Sequence, residues 1–199
     1  SGECARLGLK VLPPDVNISN GGFTADNGKI RFGLNAVKNV GRNLIERVVE
    51  ERKEKPYSSL YDFCKRMHGT ELNRRAVECL IKAGAFDSMG VNRHSLVEAV
   101  DGIIKSVESD SRRNLEGQLD LFSVMSGESQ TADTDSYEIK PFPEYSHTEL
   151  LQQEKEVSGL YLSGHPLDAY REQSARFASN SIKELTGGYG AHSTIEAVG

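Results

Sequence analysis

Lys38, Asn39, Val40, Gly41, Arg42 and Asn43 are the run in this 199-residue chain whose types and spacing best suit a chemical task, and the task is holding a phosphate. Gly41 lets the backbone approach a ligand with no Cβ in the way. Directly after it, Leu44, Ile45, Val48 and Val49 recur at the three- and four-residue spacing of one helical face. The first turn of such a helix offers unpaired amides, and the positive end of its macrodipole favours an anion. Lys38 and Arg42 add full charges at the same mouth. The pattern is a helix-hairpin-helix, which grips the nucleic-acid backbone and leaves base edges unread. The plain alternative is an ordinary helix after a glycine turn, since short glycine motifs match by chance.

A second run, Gln118, Leu119, Asp120, Leu121 and Phe122, is the one concentrated apolar cluster between Val107 and Tyr137. Two leucines and a phenylalanine on a flexible tether suit a hydrophobic pocket on a partner, each worth about 1.5–3 kcal/mol when fully buried, less the cost of ordering the segment. Gln118 brings an amide that can orient the contact. Nothing comparable supports catalysis. The five histidines, 68, 94, 147, 165 and 192, share no metal-ligand spacing and none sits beside a nucleophile. Asp133 and Asp135 lie in the most polar stretch, where a solvated linker is the simpler reading. Cys4, Cys64 and Cys79 are odd in number and lack a Cys-x-x-Cys pair, so reduced thiols are expected. Asn17-Ile18-Ser19 fits a glycosylation sequon, which has no use without secretion.

Charge divides the chain. Residues 28–93 carry fourteen Lys and Arg against eight Asp and Glu, a balance of +6, whereas 111–199 carry seven against fourteen, a balance of −7. The basic half is the candidate for nucleic acid, and the acidic half would repel phosphate and favour protein partners. Hydrophobic residues make up 37% and aromatics 7%, so part of the chain is expected to stay unpacked. No run is long and apolar enough for a membrane span and no signal peptide is visible, which reads as cytoplasmic with no membrane partner.

These residues need elements to place them. Pro13-Pro14 forces an extended entry, and Asn27-Gly28 between β-prone runs predicts a hairpin that must pack on something. Phe23 and Phe32 need a cover, from this chain or from elsewhere. Residues 36–108 read as short helices: one ended by Pro56, one capped by Ser58 or Ser59, one capped by Asn73 and stopped by Gly84, and one capped by Asn92 with Leu96, Val97, Val100, Ile103, Ile104 and Val107 on one side. They form two similar units in tandem. From 109 to 145 regular structure is expected to stop. It resumes near His147, with Leu150, Leu151, Glu154 and Val157 at helical spacing up to Gly159, then a stop at Gly164-His165-Pro166 and a short helix around 167–177. The expected class is mainly α: an entry segment with a β-hairpin (1–35), a tandem helix-hairpin-helix domain (36–108), a flexible linker (109–145), a helical connector (146–190) and a final strand (191–199).

Several segments in order resemble the alpha subunits of bacterial DNA polymerase III, the C-family replicative polymerases. They are Leu12 to Asn17, Ile30 to Leu34, Val37 to Gly41, Leu80 to Asp87 and Glu154 to Leu167. The resemblance implies that the first segment closes the fingers region, that the tandem hairpins bind primer-template duplex behind the active site, and that the last strand opens an oligonucleotide-binding (OB) fold. Gln118 to Phe122 resembles the family's internal sliding-clamp motif. It further implies that the parent is a DNA-directed DNA polymerase, a nucleotidyltransferase, whose Mg2+ sits in a palm domain absent from this chain. This stretch alone would therefore hold no cofactor and be inactive. Its partners would be duplex DNA, the clamp, the other polymerase domains and other holoenzyme subunits. The alternative is a free-standing helix-hairpin-helix DNA-binding or repair-scaffold protein, against which the Pro-Pro-Asp-Val-Asn and Ser-Gly-His-Pro segments argue.

Overall fold

A computed structural model describes residues 10–117 and 137–170. The chain divides into two compact units, one through Ser163 and one from Gly164. Among the described residues of the first, three short strands, β1 (Val11–Leu12), β2 (Thr24–Asp26) and β3 (Lys29–Arg31), precede five helices: α1 (Arg42–Glu51), α2 (Leu60–Arg66), α3 (Arg74–Lys82), α4 (Arg93–Gly117) and α5 (His147–Ser158). The class is mainly α, as the periodicities predict.

Local chemistry explains most boundaries. β2 and β3 pair antiparallel around Asn27 and Gly28, whose φ values of 49° and 75° are those a two-residue hairpin turn requires. β1 joins the other edge of β3 in parallel, with Val11 beside Ile30. Ser59 caps α2 by accepting the Asp62 amide, and Asn73 caps α3 by accepting the Ala76 amide. Gly84, at φ 85°, closes α3: its amide donates to Ile81 O and that of Ala85 to Leu80 O, satisfying carbonyls the helix end would leave bare. Ser146 and Glu149 form a reciprocal capping box at the start of α5. That Ser-x-x-Glu spacing is the sequence signature of such a box.

The core lies where the helical faces meet. Leu44, Ile45 and Val48 of α1 pack with Phe63, Val77, Leu80, Leu96 and Ile103. Phe63 is edge-on to both Tyr57 and Phe86, at 5.1 Å from each. Phe32 is covered by this same core, whereas Phe23, edge-on to it at 5.0 Å, stays 55% exposed. The entry segment is docked on the helices. Val16 N donates to Ala85 O, Arg52 gathers the carbonyls of Val16, Ile18 and Ser19, and Asn17 exchanges two hydrogen bonds with the Tyr57 backbone. The Asn17 amide is thus engaged in holding the fold, which leaves the sequon a coincidence of spacing.

The expected break at residue 109 is displaced. α4 continues to Gly117, held at Asp110, whose carboxylate accepts the Tyr61 hydroxyl at 2.6 Å. Residues 137–145, also assigned to the linker, are extended but pinned to the helices. Tyr137 stacks on Tyr61, Phe142 and Ser95 exchange hydrogen bonds, and His94 is stacked on Tyr145. Low hydrophobicity does not reveal the strap, because it is held largely by polar and ring contacts. The clamp-like run at 118–122 and the final strand at 191–199 lie outside the described residues, as do 171–177 of the expected short helix. In the second unit, the described part is a 3-10 turn, Pro166–Tyr170, where Asp168 accepts the His165 amide.

Gly102 shows why the strap fits. A Cβ built on it would lie 1.9 Å from the Tyr137 hydroxyl, so a glycine inside α4 admits the tyrosine against the helix backbone. Gly102→Ala gains roughly 1 kcal/mol of helix propensity but expels Tyr137. We expect protease cleavage within 137–145 to accelerate while α4 stays helical; unchanged cleavage would show that the strap does not depend on this contact.

Candidate nucleic-acid interface

The turn from Lys38 to Asn43 is set by what flanks it. A 3-10 turn, Leu34–Ala36, buries Leu34, and Val37 is buried after it. The Lys38 amide donates to Val157 O of α5 at 2.8 Å. Asn39 then takes φ 61°, a left-handed conformation that Asn tolerates better than most residues. Its amide lies 3.4 Å from the Cys79 sulfur of α3. Val40 is half-buried against the core and Gly41 is the N-cap of α1. Gly41 has φ −71° and ψ 144° and offers no side-chain cap, so the first amides of α1 lack the partner a Ser or Asp would give them. The left-handed residue of the turn is therefore Asn39, and Gly41 serves by its small size.

All six expected residues stand together at one helix start. Lys38, Asn39, Gly41, Arg42 and Asn43 are exposed, and neither Lys38 nor Arg42 has an ion-pair partner among the described residues. Arg75, exposed, lies one turn before Cys79 on α3 and so belongs to the side of that helix that Asn39 touches. Sequence reasoning missed it, because only packing brings α3 beside the turn.

The second hairpin, between α3 and α4, is built differently. The amides of Arg93 and His94 at the start of α4 both donate to the Glu144 carboxylate, at 3.0 and 3.2 Å. The strap thus supplies an anion where the macrodipole favours one. Arg93 itself is turned inward, 5% exposed, with a two-bonded contact to Asp87 at 2.9 and 2.7 Å and a third bond to Glu154 of α5 at 3.0 Å. Burial works against its charge, but the bond to Asp87 and the charges of Asp87 and Glu154 prevail and raise its pKa. Two units read as similar are therefore unequal: the first presents an open helix start, and the second is closed by the protein's own carboxylates.

Nucleophile chemistry has little footing here. Burial pushes the Cys64 thiol up to about 12, which keeps it protonated and unreactive. Among the described residues no group of three or more His, Cys, Asp and Glu is placed to hold a metal ion, and no helix is long and apolar enough to cross a membrane.

A model of the helix-hairpin-helix motif matches residues 8–96, the span from β1 to the start of α4. DNA polymerase III subunit alpha of Saccharopolyspora erythraea is 40% identical over 190 residues, covering 94% of this chain and 16% of that protein. The homologous subunit of Borreliella burgdorferi is 39% identical over 181 residues, 90% of this chain and 16% of that protein. That of Escherichia coli is 37% identical over 177 residues, 88% of this chain and 15% of that protein. Over most of its length the chain is similar to one segment of the DNA polymerase III alpha subunits. It spans less than a fifth of the length of these relatives. The helix-hairpin-helix match covers both the open turn and the closed one.

Proposed function

We propose that this segment is the duplex-backbone grip of a replicative DNA polymerase and its tether to the sliding clamp. The observation that carries the first half is the uncapped start of α1 inside a helix-hairpin-helix, flanked by Lys38 and Arg42 with no ion-pair partner among the described residues. Amides, macrodipole and two cations converge there on the space a backbone phosphate would take. Nothing at the turn reads a base, so binding tolerates any sequence. Gln118, Leu119, Asp120, Leu121 and Phe122 provide the clamp contact, and their resemblance to the family's motif supports that half. Nucleotidyl transfer, with the Mg2+ that serves it, belongs to the palm of the parent enzyme, which acts in the cytoplasm within the replisome. Identity to the alpha subunits along most of the chain favours this reading over a free-standing DNA-binding protein.

Titrating labelled duplexes at several salt concentrations tests the grip. Affinity should fall with salt at a log-log slope of about −0.9 per phosphate neutralised. Lys38→Glu combined with Arg42→Glu should shrink that slope by about two contacts and weaken binding at low salt at least about tenfold. Strong preference between two unrelated duplexes, or indifference to the double substitution, would overturn the assignment.

A further inference from the structure

The open mouth already faces an anion of the protein's own. Glu71, in the turn ahead of α3, accepts a hydrogen bond from Asn43 Nδ2 at 3.1 Å through Oε1. Its other oxygen, Oε2, would lie 3.1 Å from a Cβ built on Gly41. Two of the six residues at the turn are therefore held or faced by a carboxylate. That carboxylate is exposed and has no ion pair among the described residues, although Lys38, Arg42 and Arg75 are exposed cations on the neighbouring stretches. A carboxylate beside a helix start is favoured by the same field that favours a phosphate.

The contrast with the second hairpin is informative. There Glu144 takes two backbone amides and belongs to a strap pinned at several points. At the first hairpin, Glu71 takes one side-chain amide, on an exposed turn. One carboxylate is held by two backbone amides and the other by a single side-chain amide.

We propose that Glu71 is a built-in competitor for the backbone phosphate at this turn. With no DNA present it occupies Asn43 and the space before Gly41. An arriving phosphate takes that place and the carboxylate rotates aside, releasing Asn43 Nδ2 to the new anion. Its negative charge next to the bound phosphate keeps the grip weak, which suits an enzyme that must move along the duplex. The proposal rests on the phosphate reading of residues 38–43.

The test compares the parent with Glu71→Gln, which keeps the shape and removes the charge. Duplex titration should show Glu71→Gln binding about three- to tenfold more tightly at low salt, with the gain shrinking as salt screens the charge. The Asn43 side-chain amide resonances should differ between the parent and Glu71→Gln, because Asn43 Nδ2 donates to the Glu71 carboxylate. If Glu71→Gln binds no tighter while Lys38→Glu with Arg42→Glu still destroys binding, the competitor is disproved and the phosphate reading stands. Asn43 side-chain amide resonances at the same position in both proteins disprove the contact itself. Binding indifferent to the Lys38 and Arg42 substitutions overturns the phosphate reading and the proposal with it.

Discussion

Glu154→Ala is expected to destabilise the first unit by about 3–5 kcal/mol, the range for removing one partner of a buried ion pair. Glu154 is fully buried on α5. One oxygen accepts from Arg93 at 3.0 Å, and the other accepts the amides of Leu162 and Ser163 at 2.8 and 2.9 Å. Alanine leaves a guanidinium that is 5% exposed with half its neutralising charge, and strands two backbone donors at roughly 1–3 kcal/mol for each one that water cannot reach. Glu154→Gln keeps an oxygen for one set of donors and should cost less. Asp87→Asn should cost less again, because the Asp87 side chain is 44% exposed and its pairing is partly screened. Urea unfolding with an unchanged m-value would give the ranking Ala, then Gln, then the Asp87 change. A loss below about 1 kcal/mol for Glu154→Ala, the size of an exposed pair, would mean that the network carries no weight in solution.

Leu121→Ala with Phe122→Ala should loosen clamp binding by roughly two to four orders of magnitude, from about 1.5–3 kcal/mol for each buried side chain at about 1.4 kcal/mol per tenfold. Both residues are apolar in a stretch whose charge is negative, so duplex affinity should be unmoved. Lys38→Glu with Arg42→Glu should do the reverse. Calorimetry of both variants against clamp and against duplex makes a crossed test. Clamp affinity within about threefold of the parent, less than half a tenfold step, would rule out residues 118–122 as the anchor. Loss of both activities in either variant would mean that the two contacts are not separable in this chain.

Much of the architecture was legible because it depends on neighbours in sequence. The Asn27-Gly28 hairpin, the Asn73 cap and the Gly84 stop each involve residues a few positions apart, where backbone sterics and one hydrogen bond decide. The apolar stripe of α1 was equally visible, since three- and four-residue spacing is a property of the helix itself. The chain beyond 108 was harder. Composition there signals a solvated tether, yet Asp110 is held by Tyr61 across 49 residues and Phe142 by Ser95 across 47. Composition measures whether a segment can bury apolar area, and these contacts are a tyrosine hydroxyl on a carboxylate and a serine hydroxyl on the Phe142 backbone.

By itself, then, the sequence determined the helical class, several helix caps, the cationic turn at Lys38 to Asn43 and the clamp-like run, all of them local patterns of side-chain type. Tertiary structure alone decided which hairpin stays open. Glu154 sits at an apolar-stripe spacing on α5 and looked like one more position of that stripe, until packing set Arg93 against it from 61 residues away. Glu144 closes the start of α4 across about fifty residues, and Glu71 faces Gly41 from the neighbouring turn. The physical reason is common to all three. A carboxylate's role depends on which amide or cation lies within about 3 Å, and that distance is set by how the helices pack and by nothing in its immediate sequence.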